Sequence, residues 1–369
     1  MITLLFILPN LQCGGAERVT LNLIKELNPQ KFKSVLLLIK KEGIFFEEIP
    51  SNVELIYCLD EGNRVIFNFY KVFYKILETA KRVDVIVGAM ELMPTYFAAI
   101  VGFLLKKPTI GWVHTNLKKY LSKENFLYVK IFNYFYSKLS AIIVVSQGAA
   151  DELLDLIPSS SPKIKRLYNF ILLDKIISLS QTPLPYEPTI NHPRILAVGR
   201  LVREKGFDLL IRAHANLINS GIVNTLIIVG EGPEKDLLEK LIIEFDVSKS
   251  VVLLGFQSNP YSWMRFADVL VLPSRFEGFG LVLLEAMLLG LPVIASDCPS
   301  GPAEILHKGR YGLLFQSENV TDLSNAIMRL LSDFRLLERL RKIGPSRAMN
   351  FSSSIIVPEF EKVFEELVK

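Results

Sequence analysis

Two glutamates eight positions apart form the most informative chemical pattern of this sequence. Glu277 lies in the glycine-rich run Pro-Ser-Arg-Phe-Glu-Gly-Phe-Gly-Leu at 273–281, and Glu285 lies in the apolar stretch that follows. The run predicts a loop after the strand Val269–Leu272, and the apolar stretch predicts a helix. A carboxylate on a buried helix is costly unless hydrogen-bond donors reach it, and ribose hydroxyls are such donors. The pattern therefore predicts a ligand site, whereas a turn followed by a surface glutamate is the plainer alternative.

The backbone of the same loop offers a second kind of contact. The amides from Gly278 through Phe279 and Gly280 to Leu281 fall at the start of the predicted helix. Amides at a helix N-terminus lack intrahelical acceptors and bind anions. These four residues are therefore expected to hold phosphate or sugar oxygens.

Two cations lie five positions apart in the loop Gly-Arg-Leu-Val-Arg-Glu-Lys-Gly at 199–206, directly after the predicted strand Arg194–Val198. Ligands of open α/β sheets bind at the carboxyl ends of the strands, which is where this loop begins. Arg200 provides a planar fork for phosphate oxygens and Lys205 a compact charge. The loop begins at Gly199 and predicts a phosphate site. Charged residues in a solvent-exposed loop without a ligand would show the same sequence pattern.

Two further glycine turns follow predicted strands. Gly14 and Gly15 follow Ile2–Leu8 and open a helix, which suits an anion site and a simple tight turn equally well. Gly230 opens the run Gly-Glu-Gly-Pro after Leu226–Val229. We expect Gly230 to be mainly structural, with its amides bordering the ligand.

The elements that must position these residues alternate between short apolar strands and helices, which indicates parallel sheets covered on both faces. A segment with four prolines, Gln181–Pro193, separates two similar halves and predicts a linker. The remaining expected strands are Val35–Ile39, Val83–Val87, Thr109–Val113, Ala141–Val145, Val251–Leu253 and Val293–Ala295, and the expected helices include Ala16–Leu27, Val65–Lys81 and Phe126–Leu139.

Composition is that of a two-domain globular protein. The chain has 369 residues, of which 50% are hydrophobic and 22% charged. Cys13, Cys58 and Cys298 show no metal-ligand spacing, so we expect small buried residues in a reducing compartment. No transmembrane helix is expected, because the longest uncharged stretch of the first half, Leu92–Leu105, is too short and contains Pro94.

The ordered set of motifs resembles glycosyltransferase family 4, a GT-B family of retaining enzymes, over nearly the whole chain. The motifs are Gly-Gly-Ala-Glu-Arg at 14–18, Gly-Arg-x4-Lys-Gly at 199–206, Gly-Glu-Gly-Pro at 230–233, and Glu-Gly-Phe-Gly with its second glutamate at 277–285. The resemblance implies two Rossmann-like parallel-sheet domains that face each other across a cleft. The expected units are an acceptor-side domain at 1–184, a nucleotide-sugar domain at 185–350 and a C-terminal helix at 351–369 that crosses back to the first domain.

The resemblance also implies roles for single residues. Arg200 and Lys205 correspond to the pair that neutralises the donor diphosphate, and Glu277 to the carboxylate that contacts the donor sugar. Glu285 corresponds to the ribose-binding glutamate. His114, in Trp-Val-His-Thr, corresponds to an active-site histidine near the 6-position of the sugar.

Two stretches bear on how far the resemblance reaches. Asn169 stands where the family usually has Asn-Gly-Val-Asp, but Phe-Ile-Leu-Leu-Asp follows it here, so that loop departs from the pattern. The stretch 296–306, Ser-Asp-Cys-Pro-Ser-Gly-Pro-Ala-Glu-Ile-Leu, resembles members that transfer galactose or N-acetylhexosamine during assembly of bacterial surface polysaccharides and lipid-linked oligosaccharides.

The function implied is retaining transfer of a hexose or N-acetylhexosamine from a nucleotide-diphosphate sugar, UDP-linked, to a saccharide or lipid-linked saccharide. No Asp-x-Asp motif is present, so neither a metal nor another cofactor is expected. Two alternatives remain, a nucleotide-sugar epimerase of the same fold and a non-catalytic nucleotide-sugar-binding partner. No nucleic-acid partner is expected.

Charge is divided unevenly along the chain. Up to Leu184 there are 22 Lys and Arg residues against 16 Asp and Glu residues. The basic, aromatic segment Leu117–Lys138 could contact an anionic membrane, or it could form a core helix with solvated lysines. The expected location is the cytoplasm, either free or at the inner face of the cytoplasmic membrane.

Overall fold

The computed structural model describes residues 1–12, 14–115, 117, 126–157, 163–185 and 191–369. The chain divides into two compact units. One comprises Met1–Phe170 together with Ser353–Lys369, and the other comprises Ile171–Ser352.

The first unit contains a seven-stranded sheet in the order β3-β2-β1-β4-β5-β6-β7, and its described strand pairs are parallel. Its strands are β1 (Ile2–Leu8), β2 (Phe32–Lys40), β3 (Glu54–Leu59), β4 (Val85–Gly88), β5 (Thr109–Val113), β6 (Ala141–Val144) and β7 (Ile164–Arg166). Its helices are α1 (Gly15–Glu26), α2 (Phe69–Lys81), α3 (Met93–Leu105), α4 (Phe126–Ser137), α5 (Gln147–Leu156) and α14 (Ser353–Val368), with short 3-10 turns at Phe46–Glu48 and Val65–Asn68.

The second unit contains a six-stranded parallel sheet in the order β10-β9-β8-β11-β12-β13. Its strands are β8 (Arg194–Val198), β9 (Thr225–Val229), β10 (Val251–Gly255), β11 (Val269–Leu272), β12 (Val293–Ser296) and β13 (Leu313–Phe315). Its helices are α6 (Leu173–Ser180), α7 (Phe207–Asn219), α8 (Lys235–Glu244), α9 (Tyr261–Phe266), α10 (Leu281–Leu288), α11 (Pro302–Ile305), α12 (Val320–Ser332) and α13 (Phe334–Met349), with a 3-10 turn at Arg203–Lys205.

Both sheets follow the doubly wound pattern, which confirms the prediction of two parallel α/β halves. Each strand order reverses once, between β1 and β4 in the first sheet and between β8 and β11 in the second. The central strands are buried along almost their whole length, as in Leu4–Leu8 and Val269–Leu272, because helices cover both faces. Their apolar runs therefore show no alternation in the sequence.

The boundary between the units lies after Phe170 rather than at Leu184. Helix α6 packs on α9, and the Asn259 side-chain amide donates a hydrogen bond of 2.8 Å to the Leu179 carbonyl near the end of α6. These contacts join α6 to the second unit. The described part of the proline-rich segment, which follows α6, therefore lies within the second unit.

The C-terminal helix α14 belongs to the first unit. Phe364 lies edge-on to Phe6 and Phe32 at ring-centroid distances of 6.3 and 6.1 Å. Glu361 Oε1 accepts a hydrogen bond of 2.8 Å from the Asn28 amide. The helix therefore completes the apolar core against α1 and the sheet. Among the helices within the described residues, none is long and apolar enough to cross a bilayer.

Candidate active site

The second sheet brings the two predicted ligand loops together at its switch point. Strands β8 and β11 are neighbours, and the loops 199–206 and 273–280 leave their carboxyl ends. The Arg275 amide donates a hydrogen bond of 2.8 Å to the Glu204 carbonyl, which ties one loop to the other. Ligands of doubly wound sheets bind at this position, so the second unit presents Arg200, Lys205 and Glu277 where a ligand is expected.

An ion pair forms the centre of this site. Lys205 Nζ lies 2.5 Å from Glu277 Oε1, and the Ser274 hydroxyl donates a hydrogen bond of 2.7 Å to the same oxygen. The Ser300 hydroxyl donates to the Glu277 carbonyl at 2.7 Å. Glu277 is only 8% exposed, and a buried carboxylate is tolerated when donors and a cation satisfy it in this way. Arg200, by contrast, is exposed to solvent.

A neutral thiol lies beside the ion pair. Burial raises the pKa of Cys298 to about 12, and the negative charge of Glu277 acts in the same direction. The thiol is therefore protonated at neutral pH and is a poor nucleophile. Cys58 is also buried, as the sequence predicts, whereas Cys13 lies outside the described residues.

Arg275 fixes the two loops, and the sequence analysis missed it. Its guanidinium forms two hydrogen bonds to the Asp208 carboxylate, at 2.7 and 2.8 Å, and a third of 2.9 Å to the Arg203 carbonyl. Glu318 accepts a further hydrogen bond at 3.0 Å. Burial alone would raise the pKa of Asp208, but the hydrogen bonds and charge of Arg275 outweigh it and lower that pKa. The only sign of this role in the sequence is that Arg275 stands two positions before the Glu-Gly-Phe-Gly motif.

Glycine is required where the loops of this edge approach each other. A Cβ atom at Gly230 would lie 1.8 Å from the Gly199 carbonyl oxygen, and one at Gly206 would lie 2.1 Å from the Pro273 carbonyl oxygen. Gly206 also has a φ of +67°. Larger residues would push the loops apart, so Gly230 has the structural role expected of it.

The amides predicted to bind oxygens lie at the start of α10, as expected. Gly280 precedes the helix with a φ of +96°, and Leu281 is its first residue. Phe279 is buried, with its ring centroid 5.6 Å from that of Phe351. Gly278 lies in the loop between Glu277 and Gly280, so α10 begins four positions after Glu277. This arrangement is suited to an anionic ligand.

Glu285 differs from the prediction in its burial. The flanking α10 residues Leu284 and Ala286 are buried, but Glu285 is only partly buried, because it lies on the side of the helix that is not packed on the core. The Tyr261 hydroxyl donates a hydrogen bond of 3.1 Å to Glu285 Oε1. The protein itself therefore provides one donor to this carboxylate, and ribose contact stays a prediction.

In the first unit, Gly14 and Gly15 lie at the carboxyl edge of β1, beside that sheet's switch point. A Cβ atom at Gly14 would lie 2.1 Å from Glu17 Oε2, whereas one at Gly15 would meet no atom within 4 Å. Glu17 is buried in the first turn of α1. A side chain at Gly14 would therefore displace the end of the Glu17 side chain, whereas Gly15 leaves open space beside the backbone.

His114 follows β5 at the same edge of the first sheet. Its ring lies against Trp112, with the centroids 4.5 Å apart, and both of its ring nitrogens are shielded from solvent. Burial lowers the pKa of His114 to about 3, against a smaller opposing effect of the Ala89 backbone. The imidazole is therefore neutral at physiological pH. The His114 amide donates to Glu91 Oε2 at 3.1 Å, which fixes the backbone.

Asn169, in the loop that departs from the family pattern, is buried at the end of the first unit. Its side-chain carbonyl oxygen has no hydrogen-bond partner among the described residues. Within the same described part of the chain, no three His, Cys, Asp or Glu side chains are grouped as metal ligands would be.

Comparison with known families and structures identifies the class of protein that this fold and site define. The model for glycosyl transferases group 1 matches residues 187–347, and the model for Glycosyltransferase Family 4 matches residues 13–175. An uncharacterized glycosyltransferase of Methanocaldococcus jannaschii, MJ1059, is 30% identical over 69% of this chain and 71% of its own length. The chain belongs to the family 4 glycosyltransferases of GT-B fold.

Two relatives extend over almost the whole chain. One is the N-acetylgalactosamine-N,N'-diacetylbacillosaminyl-diphospho-undecaprenol 4-alpha-N-acetylgalactosaminyltransferase of Campylobacter jejuni, which is 29% identical over 93% of each chain. The other is the crystal structure of Anabaena HepE in complex with UDP and glucose, with a TM-score of 0.80, 20% identity, and coverage of 99% of this chain and 100% of that one. At that identity the structural likeness shows the fold alone.

Proposed function

We propose that this glycosyltransferase moves a hexose or N-acetylhexosamine from a UDP-sugar to a saccharide acceptor with retention of anomeric configuration. The observation that carries the proposal is the ion pair of Lys205 and Glu277 at the switch point of the second sheet, with Glu277 in the loop that leads into α10. UDP and glucose occur in the HepE complex, which supports this choice of donor.

The second unit has the groups that a nucleotide sugar requires. Arg200 and Lys205 lie in one loop and would neutralise the diphosphate, together with the first amides of α10. Glu277 would accept hydrogen bonds from sugar hydroxyls, since its carboxylate is held in place by Ser274 and Lys205. Glu285, oriented by Tyr261, would accept those of the ribose.

Transfer requires little beyond charge stabilisation. The bond from the anomeric carbon to the phosphate oxygen breaks, and the acceptor oxygen forms a new bond to that carbon from the same face. The acceptor proton passes to the departing phosphate oxygen. Preorganised cations and amides stabilise the negative charge that develops on the leaving diphosphate. Because His114 is neutral, it would contact the sugar by hydrogen bonding rather than by charge.

The acceptor we propose is a saccharide joined to a lipid carrier, in the assembly of a bacterial surface glycan. The name of the Campylobacter jejuni relative includes a diphospho-undecaprenol saccharide, which supports this class of acceptor. Such an acceptor would require the enzyme to work at a membrane surface.

Two measurements test the proposal. Thermal shift with a panel of UDP- and GDP-sugars should raise the melting temperature most for the true donor, because ligands that bind the native state stabilise it. That donor should then lose its sugar only when a saccharide acceptor is added. A new nucleotide sugar formed without acceptor would instead indicate an epimerase, and binding without turnover on any acceptor would indicate a non-catalytic partner.

A further inference from the structure

Helices α2, α3 and α4 of the first unit expose aromatic side chains that none of the described residues of the unit covers. Helix α3 packs between α2 and α4. Phe67, in the turn before α2, is 79% exposed, and Tyr70 and Tyr74 on α2 are 76% and 60% exposed. Phe103, at the end of α3, is 63% exposed. Such a concentration of exposed rings on a single layer of helices marks an interaction surface.

Contacts between side chains hold the three helices side by side. The Phe69 ring packs on the buried Phe97 ring, with the centroids 5.3 Å apart, which holds α2 against α3. The Lys138 ammonium lies 5.2 Å from the Phe103 ring centroid and 5.3 Å from that of Tyr134, which links α3 to α4. The exposed rings therefore lie on three helices that pack side by side.

Lysines are interleaved with the rings. On α2, Val72 and Ile76 are buried, so the helix directs Tyr70, Lys71, Tyr74 and Lys75 outward. The three helices and positions 106, 107 and 138 contain seven lysines and one acidic residue, Glu78. Lys107 is engaged, since its ammonium caps α2 by hydrogen bonds to the Ala80, Lys81 and Val83 carbonyls. The others include the exposed Lys71, Lys75, Lys106 and Lys138.

We propose that this face docks on an anionic lipid bilayer. We call it the aromatic–lysine face, centred on Phe67, Tyr70, Lys71, Tyr74, Lys75 and Phe103. Tyrosine and phenylalanine rings insert at headgroup depth, and lysines pair with lipid phosphates near the surface. A second copy of the chain is a poor occupant, because two such basic faces repel each other.

This surface differs from the one that the sequence predicts. Membrane contact was one of the two interpretations of the segment Leu117–Lys138, and residues 118–125 of that segment lie outside the described residues. The structure adds α2 and the end of α3, which the sequence analysis assigned to no surface. The binding of this face to a bilayer does not depend on the proposed function. Its benefit to the enzyme does, since a lipid-linked acceptor presents its sugar at the membrane plane.

The test is co-sedimentation of the full chain with vesicles, without donor or acceptor. We expect binding to phosphatidylglycerol–phosphatidylcholine vesicles that falls as salt rises, and little binding to phosphatidylcholine alone. The variant Lys71→Gln/Lys75→Gln should weaken partitioning roughly tenfold or more, since it removes two surface cations. Phe67→Ser/Tyr70→Ser should weaken it at all salt concentrations, because rings are not screened.

Matched controls lie in the second unit. Arg335→Gln/Arg339→Gln removes two exposed charges from α13, and Phe334→Ser removes a ring that is 72% exposed. Both should bind vesicles like the unaltered chain. Equal losses in controls and test variants, or equal binding to both kinds of vesicle, would overturn the proposal. So would poly(U) RNA binding that is as tight as vesicle binding and equally sensitive to Lys71→Gln/Lys75→Gln.

Activity separates this inference from the proposed function. Turnover with a short, water-soluble saccharide acceptor should be unchanged in Lys71→Gln/Lys75→Gln, because these residues lie outside the donor site. Vesicle binding without any sugar transfer would uphold the docking face and refute the proposed function. Sugar transfer without vesicle binding would do the reverse.

Discussion

The switch points of the two sheets share one topology, but one carries an ion pair and the other a neutral histidine. In the second unit, Lys205 and Glu277 form an ion pair whose carboxylate is satisfied by a hydroxyl donor. In the first unit, His114 lies against Trp112, shielded from water, and its low pKa keeps it neutral. The fold sets where a ligand is expected, whereas local side chains determine whether that place binds an anion or a neutral group.

The largest effect should come from removing charge at the second switch point. Lys205→Ala should lower kcat/KM by about 100-fold or more, because the leaving diphosphate loses a preorganised cation and Glu277 loses its ion pair. Steady-state kinetics measure this. Lys235→Ala is the control, since Lys235 pairs with the exposed Glu231 on the solvent side. Near-normal kcat/KM in Lys205→Ala would remove Lys205 from the site.

Loosening the loops without touching the ion pair should have a smaller effect. Arg275→Ala removes the bonds to Asp208 and the Arg203 carbonyl, so the ion pair of Lys205 and Glu277 must hold the two loops together without them. We expect kcat to fall roughly tenfold with a smaller change in KM, as misplaced catalytic groups cost rate. Arg275→Lys should recover part of the loss.

The pH profile distinguishes Arg275 from a chemical participant. If Arg275 only positions the loops, Arg275→Ala should leave the pH dependence of kcat unchanged. A shifted profile, or activity unaffected by Arg275→Ala, would show that the positioning role is wrong.

Stability should fall at mildly acid pH in both units. Burial lowers the pKa of His214 to about 4, as it lowers that of His114 to about 3, whereas an unfolded histidine titrates near 6.5. Both groups therefore stabilise the fold fully above about pH 6.5. Below that pH the histidines are protonated in the unfolded chain but not in the native chain. The free energy of unfolding therefore falls by about 1.4 kcal/mol per pH unit for each histidine.

Urea unfolding between pH 7.5 and 5.5 measures this slope. His214→Gln in the second unit and His114→Gln in the first should each flatten it, which assigns the loss to one unit at a time. Phe334→Ser, which replaces an exposed side chain that carries no titratable group, is the control and should leave the slope unaltered. An equal slope in all three variants would contradict the assignment.

Metal removal should have the smallest effect. We expect transfer to persist in excess chelator, because Arg200, Lys205 and the amides of α10 provide the positive charge at the diphosphate. The assay compares turnover before and after chelation and then with added Mg²⁺ or Mn²⁺. Activity that disappears in chelator and returns with either metal would show that a cation takes part.

The sequence predicted the central strands best. The bounds of β1, β5, β8 and β11 agree with the predicted ranges, because strands covered on both faces are continuous apolar runs between turns. It missed β3, β7 and β13. All three lie at sheet edges, where short strands with charged residues, such as Ile164–Arg166, lack that signature.

Contacts distant in sequence explain what was missed at the site. The roles of Arg275 and Tyr261 depend on partners 67 and 24 positions away, Asp208 and Glu285, which no local pattern reveals. The observed domain boundary, after Phe170, differs from the predicted one at Leu184 for the same reason, since Asn259 joins α6 to the second unit. Motif spacing could place Lys205 and Glu277 on adjacent loops, but not their direct contact.

The path of the chain imposes an order on folding during synthesis. Phe364 and Glu361 complete the first unit against Phe6 and Asn28, yet the ribosome makes them after every residue of the second unit. The second unit is continuous from Ile171 to Ser352, so it can fold before the last helix of the first unit has been synthesised. Until that helix arrives, the nascent first unit exposes apolar surface that a chaperone would recognise.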